Sequence, residues 1–171
     1  MTAFVALVRA VNLGAGSTLP SADLRRIGQA CGFANVRTFI ASGNLLFTAD
    51  ADEAAVAEQV RRGVEAFLGK PALVLVRSAA EMAEVARSNP FPNDPGNRVV
   101  AFFLPREPSQ ATIDAATGVG GERLALGRRE IVIAYDDGMG NSKLKLPVFS
   151  AGTGRNMNSV AKMAALLAEI E

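Results

Sequence analysis

The sequence predicts an α+β protein made of two related halves, the second incomplete, and three observations carry that prediction. Short apolar runs and helix-periodic segments follow one another as strand, helix, strand, strand, helix, strand up to residue 77. The order strand, helix, strand, strand begins again at residue 98. Between them stands Asn89-Pro90-Phe91-Pro92-Asn93-Asp94-Pro95-Gly96, the best boundary candidate in the chain.

Ala3 to Val8 is an apolar run that ends at Arg9 and the glycine-rich stretch Asn12 to Ser17, which makes it strand one and a loop. Pro20 opens helix one, with Leu24, Ile27 and Cys31 at helical spacing and Gly32 as the stop. Asn35 to Ile40 and Leu45 to Phe47 are β-prone and flank Ala41-Ser42-Gly43-Asn44, a hairpin link. Asp52 caps a long helix whose inner face reads Val56, Val60, Val64, Phe67 and Leu68, and Ala72 to Val76 supplies strand four. This order is ferredoxin-like: two helices on one face of a four-stranded antiparallel sheet.

Ser78 and Glu81 form a capping-box pattern for a third helix carrying Met82 and Val85. Beyond the proline-rich loop, Arg98 to Leu104 is a strand and Ser109 starts a short helix; Arg123 to Leu126 and Ile131 to Tyr135 flank a turn at Gly127-Arg128-Arg129. A helix over Ser142 to Phe149 continues the pattern, and a closing helix from about Asn158 to Ile170 stands where a fourth strand belongs. The expected layout is therefore a ferredoxin-like half over 1–77, a connecting helix and loop over 78–97, and an incomplete ferredoxin-like half with a C-terminal helix over 98–171, packed as one compact unit.

Composition narrows the chemistry. The 171 residues are 49% hydrophobic and 20% charged, in the range of chains that fold unaided. A formal charge of +1 provides no global attraction for nucleic acid or acidic membrane. The N-terminus lacks a signal-peptide pattern and no apolar run reaches the roughly 18–20 residues of a membrane helix, so a cytoplasmic setting without membrane contact is expected. The single Cys31 excludes an intrachain disulfide, and the absence of histidine removes Ser-His-Asp, Cys-His and His-zinc mechanisms.

Three polar groups remain as candidates. Strands one and two of a ferredoxin-like unit run the same way, which brings Arg9, Asn12 and Gly14 to the end of the sheet that carries Ser42, Gly43 and Asn44; a guanidinium beside glycine amides suits a phosphate or carboxylate. Loop-forming glycines and turn asparagines explain the same residues without a ligand, and Gly14-Ala15-Gly16-Ser17 fits neither a P-loop nor a dinucleotide fingerprint. Arg155, Asn156 and Asn158 precede the last helix, with Lys162 one turn on, where the helix dipole attracts anions; a plain asparagine cap beside a solvated arginine is the alternative. Ser142, Lys143 and Lys145 follow Asp136-Asp137-Gly138-Met139-Gly140-Asn141, whose two aspartates could hold magnesium but fit a turn better; the stretch fails the EF-hand spacing, and no metal is expected.

The same segments carry a resemblance. Ala6-Leu7-Val8-Arg9-Ala10-Val11-Asn12-Leu13-Gly14 resembles the A-L-L-R-G-I-N-V-G opening of the domain-of-unknown-function 1697 family. Phe33 to Asn44 is similar to its G-F-x-N-V-x-T-Y-I-x-S-G-N segment, and Asn89-Pro90-Phe91, Ser142-Lys143 and Thr153 to Val160 to its N-P-F, S-K and T-x-R-N-W-N-T-V motifs. Ala10 replaces the usual glycine, and Met157 the usual tryptophan, which would alter any ligand stacking there. The resemblance implies a ferredoxin-like bacterial cytoplasmic protein with no assigned activity, cofactor or catalytic residue.

Three functions follow as expectations. The first is binding of a small anionic ligand, a nucleotide or phosphorylated metabolite, by Arg9, Asn12, Gly14, Ser42, Asn44, Lys143, Arg155, Asn156, Asn158 and Lys162. The second is RNA binding on an exposed sheet face, opposed by one tyrosine and no tryptophan. The third is a histidine-free enzyme with Lys143 or Lys162 as a base, which requires a buried lysine.

Overall fold

The computed structural model describes residues 1–9, 19–40 and 43–171. Its contacts group into two units, Met1–Met82 with Met163–Glu171, and Ala83–Lys162. The first unit contains β1 (Thr2–Val8), α1 (Ser21–Ala30), β2 (Ala34–Thr38), β3 (Asn44–Ala49), α2 (Glu53–Leu68) and β4 (Val74–Ser78). Its sheet has the order β2-β3-β1-β4, every pair antiparallel.

One face of this sheet presents Phe4, Ala6, Val8, Leu45, Phe47 and Val76 to Leu24 of α1 and to Val56, Val60 and Val64 of α2. Asp52 caps α2 as the sequence requires, its carboxylate accepting from the Ala55 N–H at 2.8 Å. Phe67, placed on the inner face from sequence, is 47% exposed. It lies between the i, i+4 rows, whereas Leu68 continues the row from Val64 and packs on the cluster. Cys31 is half-buried and desolvation pushes its thiol pKa up, so it lacks thiolate character.

The opposite face of β1 and β3 carries Ala3, Val5, Leu7, Leu46 and Thr48, all buried. In the second unit all of β7 (Glu130–Ala134) is buried.

On the surface of α2, Glu58 takes bonds from Arg61 at 2.5 Å and Arg62 at 3.0 Å, and Arg61 also reaches Glu65 at 2.5 Å. The Arg61 guanidinium is the main reason the Glu58 carboxyl is held at about 2, while the Ala72 N–H and then Arg61 lower Glu65. Both folded values lie below the ordinary value of 4.5, so the stability they contribute is present above that pH and lost as pH falls from about 4.5 toward 2. A melting temperature that falls across this window in low salt, falls less in 0.5 M NaCl, and falls less in Arg61→Ala is expected. An unchanged acid profile in Arg61→Ala would contradict this.

The second unit holds β5 (Val99–Phe103), α4 (Gln110–Asp114), β6 (Arg123–Leu126), β7 and β8 (Thr153–Asn156). It also takes most of α3 (Ala79–Arg87), whose start Ser78 caps by accepting from the Glu81 N–H at 3.2 Å, and the opening of α5 (Met157–Ile170). Its sheet order is β6-β7-β5-β8, again antiparallel, so the expected incompleteness is corrected: β8 is the fourth strand, and α5 follows it. Thr-Gly-Arg-Asn is short and poor in β-formers, and its asparagine also caps α5, which disguised the strand as a helix approach.

The helix expected over 142–149 is likewise absent. Lys143 and Lys145 are exposed while Leu144 and Leu146 are buried, a period of two that makes extended chain, and Pro147 begins a 3-10 turn to Ala151. Lys145 pairs with Thr117 through two N–H to carbonyl bonds of 2.9 Å. Leu144 and Leu146 join Val100, Ile131, Ile133 and Tyr135 in the core of this unit.

Candidate functional site

Because β1 and β2 both run antiparallel to β3, the end of β1 meets the β2–β3 hairpin, as the sequence indicates. The Val8 N–H donates to the Gly43 carbonyl at 2.8 Å and the Arg9 N–H to the Leu73 carbonyl at 2.9 Å. Gly43 has φ +80°, and a Cβ there would stand 2.6 Å from the Val8 carbonyl oxygen, so glycine is required for the approach. Asn44 is fully buried and its Nδ2 donates to the Phe39 carbonyl at 3.1 Å, which makes it a hairpin brace. Arg9 is exposed, whereas Asn12, Gly14 and Ser42 lie outside the described residues.

The second cluster divides. Arg155 is not solvated: it is 8% exposed on β8, its Nη1 donates to Thr153 Oγ1 at 2.6 Å and to the Gly154 carbonyl at 2.9 Å, and burial lowers its pKa to about 10. Alternation along β8 turns Thr153 and Arg155 to the same buried face. Asn156 accepts from the Ser159 N–H at 2.9 Å and so caps α5. Asn158 and Lys162 are exposed, and Met157, in the tryptophan position, is 5% exposed. Lys143 is exposed too, so neither proposed lysine base has the burial that its role requires.

The third group opens on a feature that sequence reasoning missed. A cleft of about 350 Å³ is lined by Gly118–Glu122, Tyr135–Gly138 and Asn141–Lys143, a volume in the range of small-ligand sites. The Thr117–Lys145 bridge adjoins two of its lining residues, Gly118 and Lys143, and at Gly118, with φ +68°, a Cβ would stand 2.1 Å from the Lys143 carbonyl oxygen. Ser142 Oγ donates to Glu122 Oε1 and the Gly120 N–H donates to Glu122 Oε2 at 2.6 Å. These bonds, the hydroxyl first, hold the Glu122 carboxyl below its ordinary range.

Tyr135 is 6% exposed; its ring packs in the core of the unit, and burial followed by the Glu122 charge pushes its phenol pKa up, so it stays neutral. Asp136, also on the lining, stands 3.1 Å from Arg123, which also pairs with Asp94 and sits 5.1 Å over the Phe91 ring. Among the described residues no group of acids is arranged to hold a metal. Asp136, Asp137, Ser142 and Lys143 were legible as a polar loop, but Glu122 stands just before β6 and Tyr135 just after β7, and only the tertiary fold brings them there. Thr117-Gly118-Val119-Gly120-Gly121-Glu122 was the available signal, a glycine run ending on an acid.

A search of curated proteins finds no match. Among solved structures, a conserved bacterial protein from Streptococcus pneumoniae superposes with a TM-score of 0.80 at 21% identity, covering 97% of this chain and 98% of that one, which shows a shared fold. No helix among the described residues is long and apolar enough to cross a membrane. The family model described as protein of unknown function (DUF1697) matches residues 1–131, and the chain belongs to that family.

Proposed function

We propose that this chain is a small-ligand-binding protein whose site is the cleft between the Gly118–Glu122 loop and the Asp136–Lys143 segment. The observation that carries this reading is the cleft itself: about 350 Å³, with the Glu122 carboxylate fixed by Ser142 and Gly120 inside it. We further take each sheet, with its repeated order, as a ferredoxin-like arrangement, the second with 3-10 turns in place of its second helix. A cytoplasmic setting accords with a single cysteine. Anion binding at the exposed Arg9 beside Gly43 is the second reading, and that exposure is its support.

A thermal-shift screen of amines, polyols, sugar phosphates, nucleotides and carboxylic acids tests both. A ligand at about 100 times its dissociation constant adds about 2.7 kcal/mol, a rise of several degrees. Gly120→Leu fills the cleft with little strain, since a Cβ there stands 3.5 Å from Glu122 Oε2, an ordinary contact. The shift is expected to vanish in Gly120→Leu and persist in Arg9→Ala. The reverse pattern would move the function to the end of β1.

A further inference from the structure

We propose that the cleft takes a small organic cation, an ammonium or guanidinium compound with a short apolar body, whose charged head sits between Glu122 and the Tyr135 hydroxyl. The inference rests on the cleft being the binding site and adds the chemical class of its occupant.

The first ground is charge. Glu122, Asp136 and Asp137 line the cleft against one ammonium, that of Lys143. Arg123 pairs with Asp136, yet Glu122 and Asp137 still outweigh Lys143. What stabilises Glu122 is a hydroxyl and backbone N–H groups, and among the described residues no cation pairs with it. A carboxylate held only by dipoles gains most from an arriving cation, and an arriving anion would meet it as a like charge.

The second ground is the Tyr135 hydroxyl. Tyr135 is 6% exposed and lines the cleft, and no described residue hydrogen-bonds its hydroxyl. The phenol also feels the Glu122 charge, so the hydroxyl of a side chain otherwise packed in the core stands near that carboxylate with acceptor capacity for an N–H donor. Val119, 51% exposed on the same lining, offers apolar contact for the body of the ligand.

The test uses the full chain at neutral pH and three probes of one shape: benzylamine, benzyl alcohol and benzoate, titrated while backbone amide shifts are followed. Benzylamine is expected to move the amides of Gly118–Glu122 and Gly138–Lys143 and to bind at least about tenfold tighter than benzyl alcohol, the scale of a hydrogen bond to a charged group. Benzoate is expected to leave them unmoved. Glu122→Gln should weaken benzylamine about tenfold, Tyr135→Phe and the exposed Asp137→Asn each by about threefold, with benzyl alcohol unaffected.

Benzyl alcohol or benzoate binding the cleft as tightly as benzylamine would leave the site standing and overturn the cationic class. Equal benzylamine affinity in wild type, Glu122→Gln and Asp137→Asn would overturn it as well. If all three probes move amides only outside the cleft, both this inference and the reading beneath it fall.

Discussion

Gly118→Ala is expected to destabilise the second unit by about 2–4 kcal/mol, from two terms that act together. A residue with a side chain at φ +68° carries strain on the order of 1–2 kcal/mol. The added Cβ also meets the Lys143 carbonyl oxygen at 2.1 Å, an atom of the backbone that moves only if the Thr117–Lys145 pairing opens. Gly120→Ala provides the contrast, because its Cβ has only the 3.5 Å contact with Glu122 and its backbone is not left-handed. That change is expected to be neutral or to stabilise by up to about 1 kcal/mol. Urea unfolding of both variants measures the difference, and a cost below about 1 kcal/mol in Gly118→Ala would show that the close approach of Gly118 to Lys143 is not held as described.

Phe47→Ala is expected to cost about 3–5 kcal/mol, a large share of a total stability of roughly 5–15 kcal/mol. The ring is fully buried, stacks on Phe33 at 4.1 Å and 9°, and meets Phe4 at 5.9 Å, so truncation removes both transfer energy and aromatic contact. Phe67→Ala deletes the same atoms from a side chain that is 47% exposed and should cost less than about 1 kcal/mol. Similar costs at the two positions would mean that the inner face of α2 is misassigned.

The first unit was legible because its signals are local. Asp52 before an i, i+4 valine row, Pro20 before α1 and Gly43 between two β-prone runs each act within a few residues of their effect. Phe67 was misplaced because it stands one residue before the row that continues to Leu68. The second unit was less legible for two reasons: β8 is four residues long and doubles as a helix approach, and the alternation Lys143-Leu144-Lys145-Leu146 was passed over in favour of a helix that would continue the pattern.

For the site, what sequence shows is residue type and what it hides is burial. Arg155 and Asn44 have the chemistry of anion ligands, yet one is turned into β8 and the other braces a hairpin. Asn156 caps α5, an outcome its position before an apolar helix allowed. Glu122 and Tyr135 are 13 positions apart on neighbouring strands β6 and β7 or their ends, and nothing local marks them as partners.

Amide chemical-shift mapping of the compound that most raises the melting temperature tests the central claim most directly. The account predicts that the shifts concentrate at Gly118–Glu122, Gly138 and Asn141–Lys143. Shifts concentrated instead at Val8, Arg9, Gly43 and Asn44 would contradict it and place the ligand at the end of β1.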